Sequence, residues 1–307
     1  MNLTHLRYIV EVERHGSITK AAAALYMGQP NLSKAIKEME LEVGIPIFRR
    51  SAKGVVPTEK GQEFLHYAKA IIVQMDKMEE LYKDNSASRI DFQLMLPRAS
   101  YITHAFTEFM GKLPHSELMD IKFKETNSLE AVNAVIECEC SLAIIRYELS
   151  QEDFFTSLLA EKNLRSQEIM TFDYVLLISE HSPLAKYSVI EDEQLADLIE
   201  IVHGDTAVPN VSAALQKKST RMRSHKRHIY VFERGSQFDI LSSNPDTFMY
   251  VSPMPETVLK RCGLVQRHCA VKHTNRDSLI YQSSYRLSKT DQLFLTELKN
   301  VIREIQR

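Results

Sequence analysis

The sequence predicts an α/β protein with an all-α winged helix-turn-helix head, a long linking helix and an α/β body. Three observations lead there: two short helical patterns around Gly28, a heptad seam running from Phe64 to Tyr82, and strand-like runs alternating with helical ones beyond residue 88.

The first element is residues 2–15. Asn2 is a fitting cap, and Leu3, Leu6, Ile9 and Val10 form one apolar side. Ser17 then caps a second helix whose Ala21, Ala22, Ala24 and Leu25 give a small packing face. Gly28 supplies the freedom of a tight turn, and Pro30 suits the opening of the next helix because its missing N–H would have no partner there. Leu32, Ile36, Met39 and Val43 recur at three- and four-residue steps, which predicts a buried stripe. Gln29, Asn31, Ser33, Lys34 and Lys37 lie off that stripe. A second helix presenting polar and basic groups after a short turn is the pattern that enters a DNA major groove. An ordinary helical hairpin with a solvated face is the other reading of this stretch alone.

After Gly44, residues 46–50 read as a strand, 51–54 as a turn and 55–57 as the returning strand. A basic hairpin directly after such a helix is a wing, from which Arg49, Arg50 and Lys53 can reach phosphates or the minor groove, solvated charge on a small hairpin being the other reading of the three. Thr58 caps a helix reaching about Asp84. Its Phe64, Ala68, Ile71, Met75, Met78 and Tyr82 are spaced 4, 3, 4, 3, 4, a narrow seam whose length favours pairing with a second copy, docking on the chain's own body being the other reading.

The whole chain has 307 residues, 44% hydrophobic and 25% charged, with 9 Gly and 10 Pro, which describes a folded protein without long low-complexity parts. The net charge is −2, yet residues 1–60 hold nine Lys/Arg against six Asp/Glu, a mildly basic end on an acidic chain. MNLTHLRYIVEVERHG is amphipathic and charged, unlike a signal peptide, so a cytoplasmic protein with no membrane partner is expected. Cys138 and Cys140 lack zinc-knuckle spacing, and Cys262 and Cys269 are either a redox pair or incidental thiols; no metal or other cofactor is expected. The chain contains no G-x-S-x-G, P-loop, G-x-G-x-x-G or H-E-x-x-H, so no enzyme is expected.

The order SITKAAAAL, GQPNLSKAIKEMELEVGIPIFRR, GVVPTEKG and a long helix resembles the N-terminal region of LysR-type transcriptional regulators, closely over residues 1 to about 65. Met39, Val43 and Lys34 depart mildly from the family's usual residues. The resemblance implies DNA-binding roles for Gln29, Pro30, Ser33, Lys34 and Lys37, with Arg50 and Lys53 on the wing. It also implies a homodimer or homotetramer on double-stranded DNA, with RNA polymerase as a further partner.

Residues 83–88 read as a hinge. The expected division is therefore 1–57 for the head, 58–86 for the linking helix and hinge, and 87–307 for the body. Within the body, strands over residues 90–96, 119–123 and 141–146 alternate with helices over 101–112 and, capped by Ser128, up to Glu137, which suggests an open, largely parallel sheet. Further strand patterns follow at 172–179, 198–203, 228–233, 248–251 and 279–286, before a helix at 289–305. Such a body resembles the effector-binding part of the same family, itself similar to periplasmic binding proteins. That implies lobe I over about 87–161 and 268–307, and lobe II over about 162–267. HSPLA at 181–185 and VSPMP at 251–255 match recurring segments, whereas residues 243–247 replace a Gly-rich one.

Ligands of such folds lie at carboxyl ends of strands and starts of helices. The expected effector-binding residues are Arg98, Ser100, Tyr101, Asn127, Ser128, Arg146, Tyr147, His203 and Ser252. Helix-start amides and the two arginines suit a small anionic effector, although either arginine could instead serve an interlobe salt bridge or the surface. The run KKSTRMRSHKRH at 217–228 suits a solvated helix face, an intersubunit contact or a second nucleic-acid surface.

Overall fold

A computed structural model describes the protein except residues 1, 52–53, 84–88, 115–117, 205–226, 233 and 307. The expected wing residue Lys53 and most of the basic run 217–228 therefore lie outside the described residues, as do residues 84–88 of the expected hinge.

The chain divides into two compact units. In the first, α1 (Leu3–His15) is capped by Asn2, whose Oδ1 accepts from the Thr4 amide at 2.9 Å. Ser17 caps α2 (Ile18–Ala24), and α3 (Gln29–Val43) follows. Leu32, Ala35, Ile36 and Met39 of α3 are buried against Leu6, Ile9, Ala21 and Ala22. The predicted stripe thus forms, with Ala35 added.

The turn between α2 and α3 differs from expectation in one respect. Gly28 is the N-cap of α3 with an ordinary φ of −70°. The left-handed residue is Tyr26, at φ +53°, and it is fully exposed. The reversal is made two residues earlier, so Gly28 leaves the turn in extended backbone that any residue can adopt.

Strands β1 (Phe48–Ser51) and β2 (Gly54–Pro57) form the antiparallel hairpin. Glu40 of α3 anchors it: its Oε1 accepts from the amides of Ile47 (2.7 Å) and Phe48 (3.0 Å). Thr58 ties the hairpin to α4 (Glu59–Lys83) by donating to Pro46 O at 2.6 Å and accepting from the Gly61 amide at 2.9 Å. Gly61 is required here, because a Cβ would fall 2.0 Å from the Ile47 carbonyl oxygen.

The start of α4 belongs to the head's core. Leu65 and Ala68 are buried, with Phe64 and Ile72 packed beside them, and Lys69 pairs with Glu13 of α1 at 2.9 Å. The heptad seam is therefore divided. Ala68 and Phe64 face the head's own interior, Ile71 and Met78 are exposed, Met75 is half-buried, and the side chain of Tyr82 lies outside the described residues.

The second unit contains two mixed sheets. Lobe I orders its strands β4-β3-β5-β13-β6: β3 (Arg89–Leu96), β4 (Leu118–Glu125), β5 (Leu142–Glu148), β6 (Leu164–Asp173) and β13 (Thr274–Gln282). Helices α5 (Ser100–Met110), α6 (Ser128–Ile136), α7 (Glu152–Glu161) and α10 (Lys289–Ile305) accompany it. Its core centres on Phe92, whose ring lies 4.9 Å from Phe109 and 5.4 Å from Phe294.

Lobe II orders its strands β10-β9-β11-β7-β12-β8: β7 (Val175–Ser179), β8 (Val189–Ile190), β9 (Ile199–His203), β10 (His228–Val231), β11 (Thr247–Val251) and β12 (Leu264–Cys269). Helices α8 (Arg234–Ser243) and α9 (Glu256–Cys262) belong to it. Strand β7 is wholly buried, with one core cluster on each face.

The sheets are mixed rather than largely parallel, because β13 runs antiparallel to both its neighbours and β7 to both of its own. The chain crosses between lobes at Tyr174 and again between Cys269 and Thr274, and the two crossings are joined by Tyr174 N–H donating to His273 O at 3.1 Å. The first crossing therefore lies past the expected residue 162. Strand β6 pairs with β13 over its length and holds residues 164–173 in lobe I.

Candidate functional site

In the head, α3 turns one face outward. Gln29, Pro30, Asn31, Lys34 and Lys37 are exposed and Ser33 is half-buried. Lys34 is held loosely by Glu38 one turn on, at 3.8 Å. Arg49 and Arg50 are exposed on β1. The glycine αL cap at Gly44 ends α3 cleanly (φ +73°), so the chain can turn straight into the hairpin. The arrangement is a helix with a polar, basic outer face followed by a basic wing. Tyr26, one turn before α3 and fully exposed, joins this surface, and sequence reading passed over it.

In the body, the strand ends of lobe I gather the predicted groups. Ser100 opens α5, and Asn127 caps α6, with its Oδ1 accepting from the Glu130 amide at 2.9 Å. The cap is thus Asn127 and not Ser128. Ser128 is engaged with β5 instead, donating to Arg146 O at 2.6 Å and accepting from Arg146 N at 3.0 Å.

Arg146 ends in an ion pair. Its Nε and Nη2 donate to Asp277 at 2.7 and 2.6 Å, the Asp277 side chain is fully buried, and Nη1 reaches Arg98 O at 3.4 Å. Tyr101, also buried, donates its hydroxyl to the same carboxylate at 2.5 Å. Burial works against the Arg146 charge, but Asp277 outweighs it and raises the pKa. Burial, reinforced by the Asp277 charge, pushes the Tyr101 phenol well above its ordinary value. The Arg146 guanidinium also lies over the rings of Phe172 (4.9 Å) and Tyr174 (5.9 Å), so it is bound into the junction between lobes.

Tyr147 departs from expectation. Successive strand residues face opposite sides of a sheet, so Tyr147 turns away from Arg146. It stacks on Phe155 of α7 at 4.9 Å, with its hydroxyl 3.4 Å from Ser278 Oγ. It is a core residue of lobe I. His203 ends β9 half-buried, and Ser252 follows β11 buried; both lie in lobe II.

A lobe II side chain absent from the predicted set reaches lobe I. Arg234, first residue of α8, donates to Ser100 Oγ and Thr103 Oγ1, both at 2.8 Å, and pairs with Glu125 at the end of β4. Its guanidinium carbon lies 5.9 Å from the Phe238 ring centre. Burial pushes its pKa below the usual arginine value; Glu125 pulls it back, and the charges of Arg146 and Arg98 add to the downward push. One turn along α8, Gln237 is buried, and its Oε1 has no hydrogen-bond partner among the described residues. The crevice thus gathers Arg98, Arg146 and Arg234 around two carboxylates, Asp277 and Glu125.

Residues 3–62 match the family model described as bacterial regulatory helix-turn-helix protein, lysR family. Residues 3–62 thus carry a LysR-type helix-turn-helix head. Among curated relatives, the RuBisCO operon transcriptional regulator of Allochromatium vinosum is 41% identical over 81 residues, 26% of this chain and 27% of that protein. The regulator BudR of Raoultella terrigena is 27% identical over 219 residues, 69% of this chain and 70% of that protein. The chain thus spans about a quarter of the first relative's length. Both are named transcriptional regulators, not enzymes. Full-length LysG of Corynebacterium glutamicum, solved with bound effector arginine, has a TM-score of 0.60 at 12% identity, covering 99% of each chain. That likeness shows a fold shared over both the head and the body. Among the described residues, no helix is long and apolar enough to cross a membrane.

Proposed function

We propose that this LysR-family chain is a sequence-specific, DNA-binding transcription regulator whose operator binding is adjusted by a small anionic metabolite between its two lobes. The observation that carries the DNA half is α3, with its apolar stripe buried and Gln29, Pro30, Lys34 and Lys37 exposed beside Arg50 of the wing. Gln29 and Ser33 suit base edges, while the lysines serve bases or phosphates. One short recognition helix gains useful affinity when two copies read two half-sites, so the active form is a homodimer or homotetramer, paired through the exposed part of α4.

The effector half rests on the crevice: three arginines against two carboxylates, with the starts of α5 and α6 at its lobe I side. An anion bound there shifts the balance between lobe arrangements and through it the spacing of the heads. The regulator is cytoplasmic, needs no cofactor besides its effector, and acts through RNA polymerase.

The test is a gel-shift titration against random genomic fragments at physiological salt with excess competitor DNA, comparing the chain with its Ser33→Ala/Lys34→Ala variant. The expected result is selection of a dyad-symmetric site by the first and loss of selection by the second. Equal behaviour of the two overturns the assignment of α3.

A further inference from the structure

Arg234 is the meeting point of the two lobes. It sits on lobe II, yet it donates to Ser100, Thr103 and Glu125, all on lobe I. Ser100 and Thr103 lie in the first turn of α5, where amides without helical partners favour an anion. Glu125 closes β4, and the main chain beside it is fixed by Thr126 N–H donating to Leu96 O at 2.9 Å. An anion approaching Arg234 therefore meets a carboxylate already delivered by the protein.

The alternatives for an incoming anion are restricted. Arg146 is held by Asp277, which is wholly buried and also accepts from the Tyr101 hydroxyl. Glu125 is different: its side chain is 19% exposed and that of Arg234 18%, so this pair lies within reach of solvent. An ion pair of that kind exchanges partners far more readily than a buried one.

Resting on the anionic-effector reading, we propose that Glu125 is a built-in competitor for the effector. Its carboxylate occupies Arg234 and latches lobe II to lobe I, and the effector's own anionic group binds by taking its place on Arg234, Ser100 and Thr103. A tethered carboxylate acts at a high effective concentration, so it lowers the apparent affinity for a free anion by the fraction of time Arg234 is released. The effector then replaces one interlobe bridge with another of different length, which is how binding would alter the lobe angle.

The test uses the full chain and inorganic sulfate as probe, with binding followed by calorimetry and the latch by amide hydrogen exchange. Glu125→Gln keeps the shape of the side chain and removes its charge. It is expected to raise sulfate affinity at least tenfold, and to speed exchange in the first turns of α5 and α8 without sulfate. Arg234→Gln is expected to abolish sulfate binding and to speed the same amides. Glu125→Asp, which keeps the charge on a shorter stem, is expected to fall between the chain and Glu125→Gln, and it serves if the glutamine variant fails to fold. Unchanged affinity in Glu125→Gln while Arg234→Gln still abolishes binding overturns the competitor and leaves the anionic crevice standing. Binding indifferent to both variants, or no sulfate binding by Glu125→Gln, overturns the competitor and the anionic reading together.

Discussion

Arg146 and Asp277 stand opposite each other on the antiparallel strands β5 and β13, and the guanidinium grips the carboxylate through Nε and Nη2 together. Because Asp277 is wholly buried and Arg146 nearly so, the pair is a structural joint between two neighbouring strands of lobe I. Removing one partner leaves the other charge uncompensated away from water, which costs about 3–5 kcal/mol. Asp277→Ala should therefore lower the body's unfolding free energy, read from a urea titration, by an amount in that range. Arg146→Met combined with Asp277→Leu should recover most of it, since neither side then carries a charge.

The same joint implies an alkaline limb. The Tyr101 pKa is raised in the folded chain, first by burial and then by Asp277. A group whose folded pKa is raised contributes stability that is complete below its unfolded value and is lost as pH rises past it. For tyrosine that value is about 10, so the body should lose stability as pH climbs above about 10. Tyr101→Phe should flatten that limb in melts recorded across the range, while lowering stability at neutral pH by the lost hydrogen bond.

Gly61 separates steric need from turn chemistry in the head. A Cβ at Gly61 would lie 2.0 Å from Ile47 O, whereas at Gly28 its nearest neighbours would be 3.8 Å away. Gly61→Ala should destabilise the head by about 1–3 kcal/mol through forced overpacking, and weaken DNA binding by displacing the wing. Gly28→Ser should be harmless or gain a few tenths of a kcal/mol as a better cap. Thermal melting of the full chain distinguishes the two.

How much of this was legible follows from the range of each interaction. The stripe Leu32–Ile36–Met39, the Asn2, Ser17 and Thr58 caps and the wing are local patterns, and the structure forms each of them. The turn residue differs from the sequence expectation because glycine is the usual holder of a left-handed φ, while here a tyrosine adopts it. The pairing of Arg146 with a residue 131 positions away decides that it is a joint, and no local pattern encodes that. Arg234 was invisible for the same reason, as Glu125 lies 109 positions earlier. Tyr147, by contrast, could have been excluded by the alternation of its own strand beside Arg146. The first lobe crossing falls later than the sequence predicts, because β6 carries polar residues and reads poorly as a strand until β13 pairs with it.

The charge of Lys37 gives a further measurement on the DNA side. It is exposed on α3, away from the buried stripe. If it contacts phosphate, Lys37→Ala should weaken binding to all sequences about equally and reduce the slope of log K against log salt by about one. Loss of preference at particular base pairs, with the slope unchanged, would assign it to base edges instead.

The divided seam of α4 gives opposite outcomes for neighbouring positions. Ala68 is 1% exposed in the head core, while Met78 is 53% exposed and Ile71 38%. Ala68→Glu buries an unpaired carboxylate and should melt the head even in dilute monomer. Met78→Glu, alone or with Ile71→Glu, should leave the head's melting unchanged and shift the chain from dimer to monomer in sedimentation equilibrium. It should also cost the two-site affinity that dimerisation supplies, leaving non-specific DNA binding in place. If Met78→Glu sediments as the unaltered chain does, pairing does not run through this face of α4. The exposed apolar residues there would then need another partner.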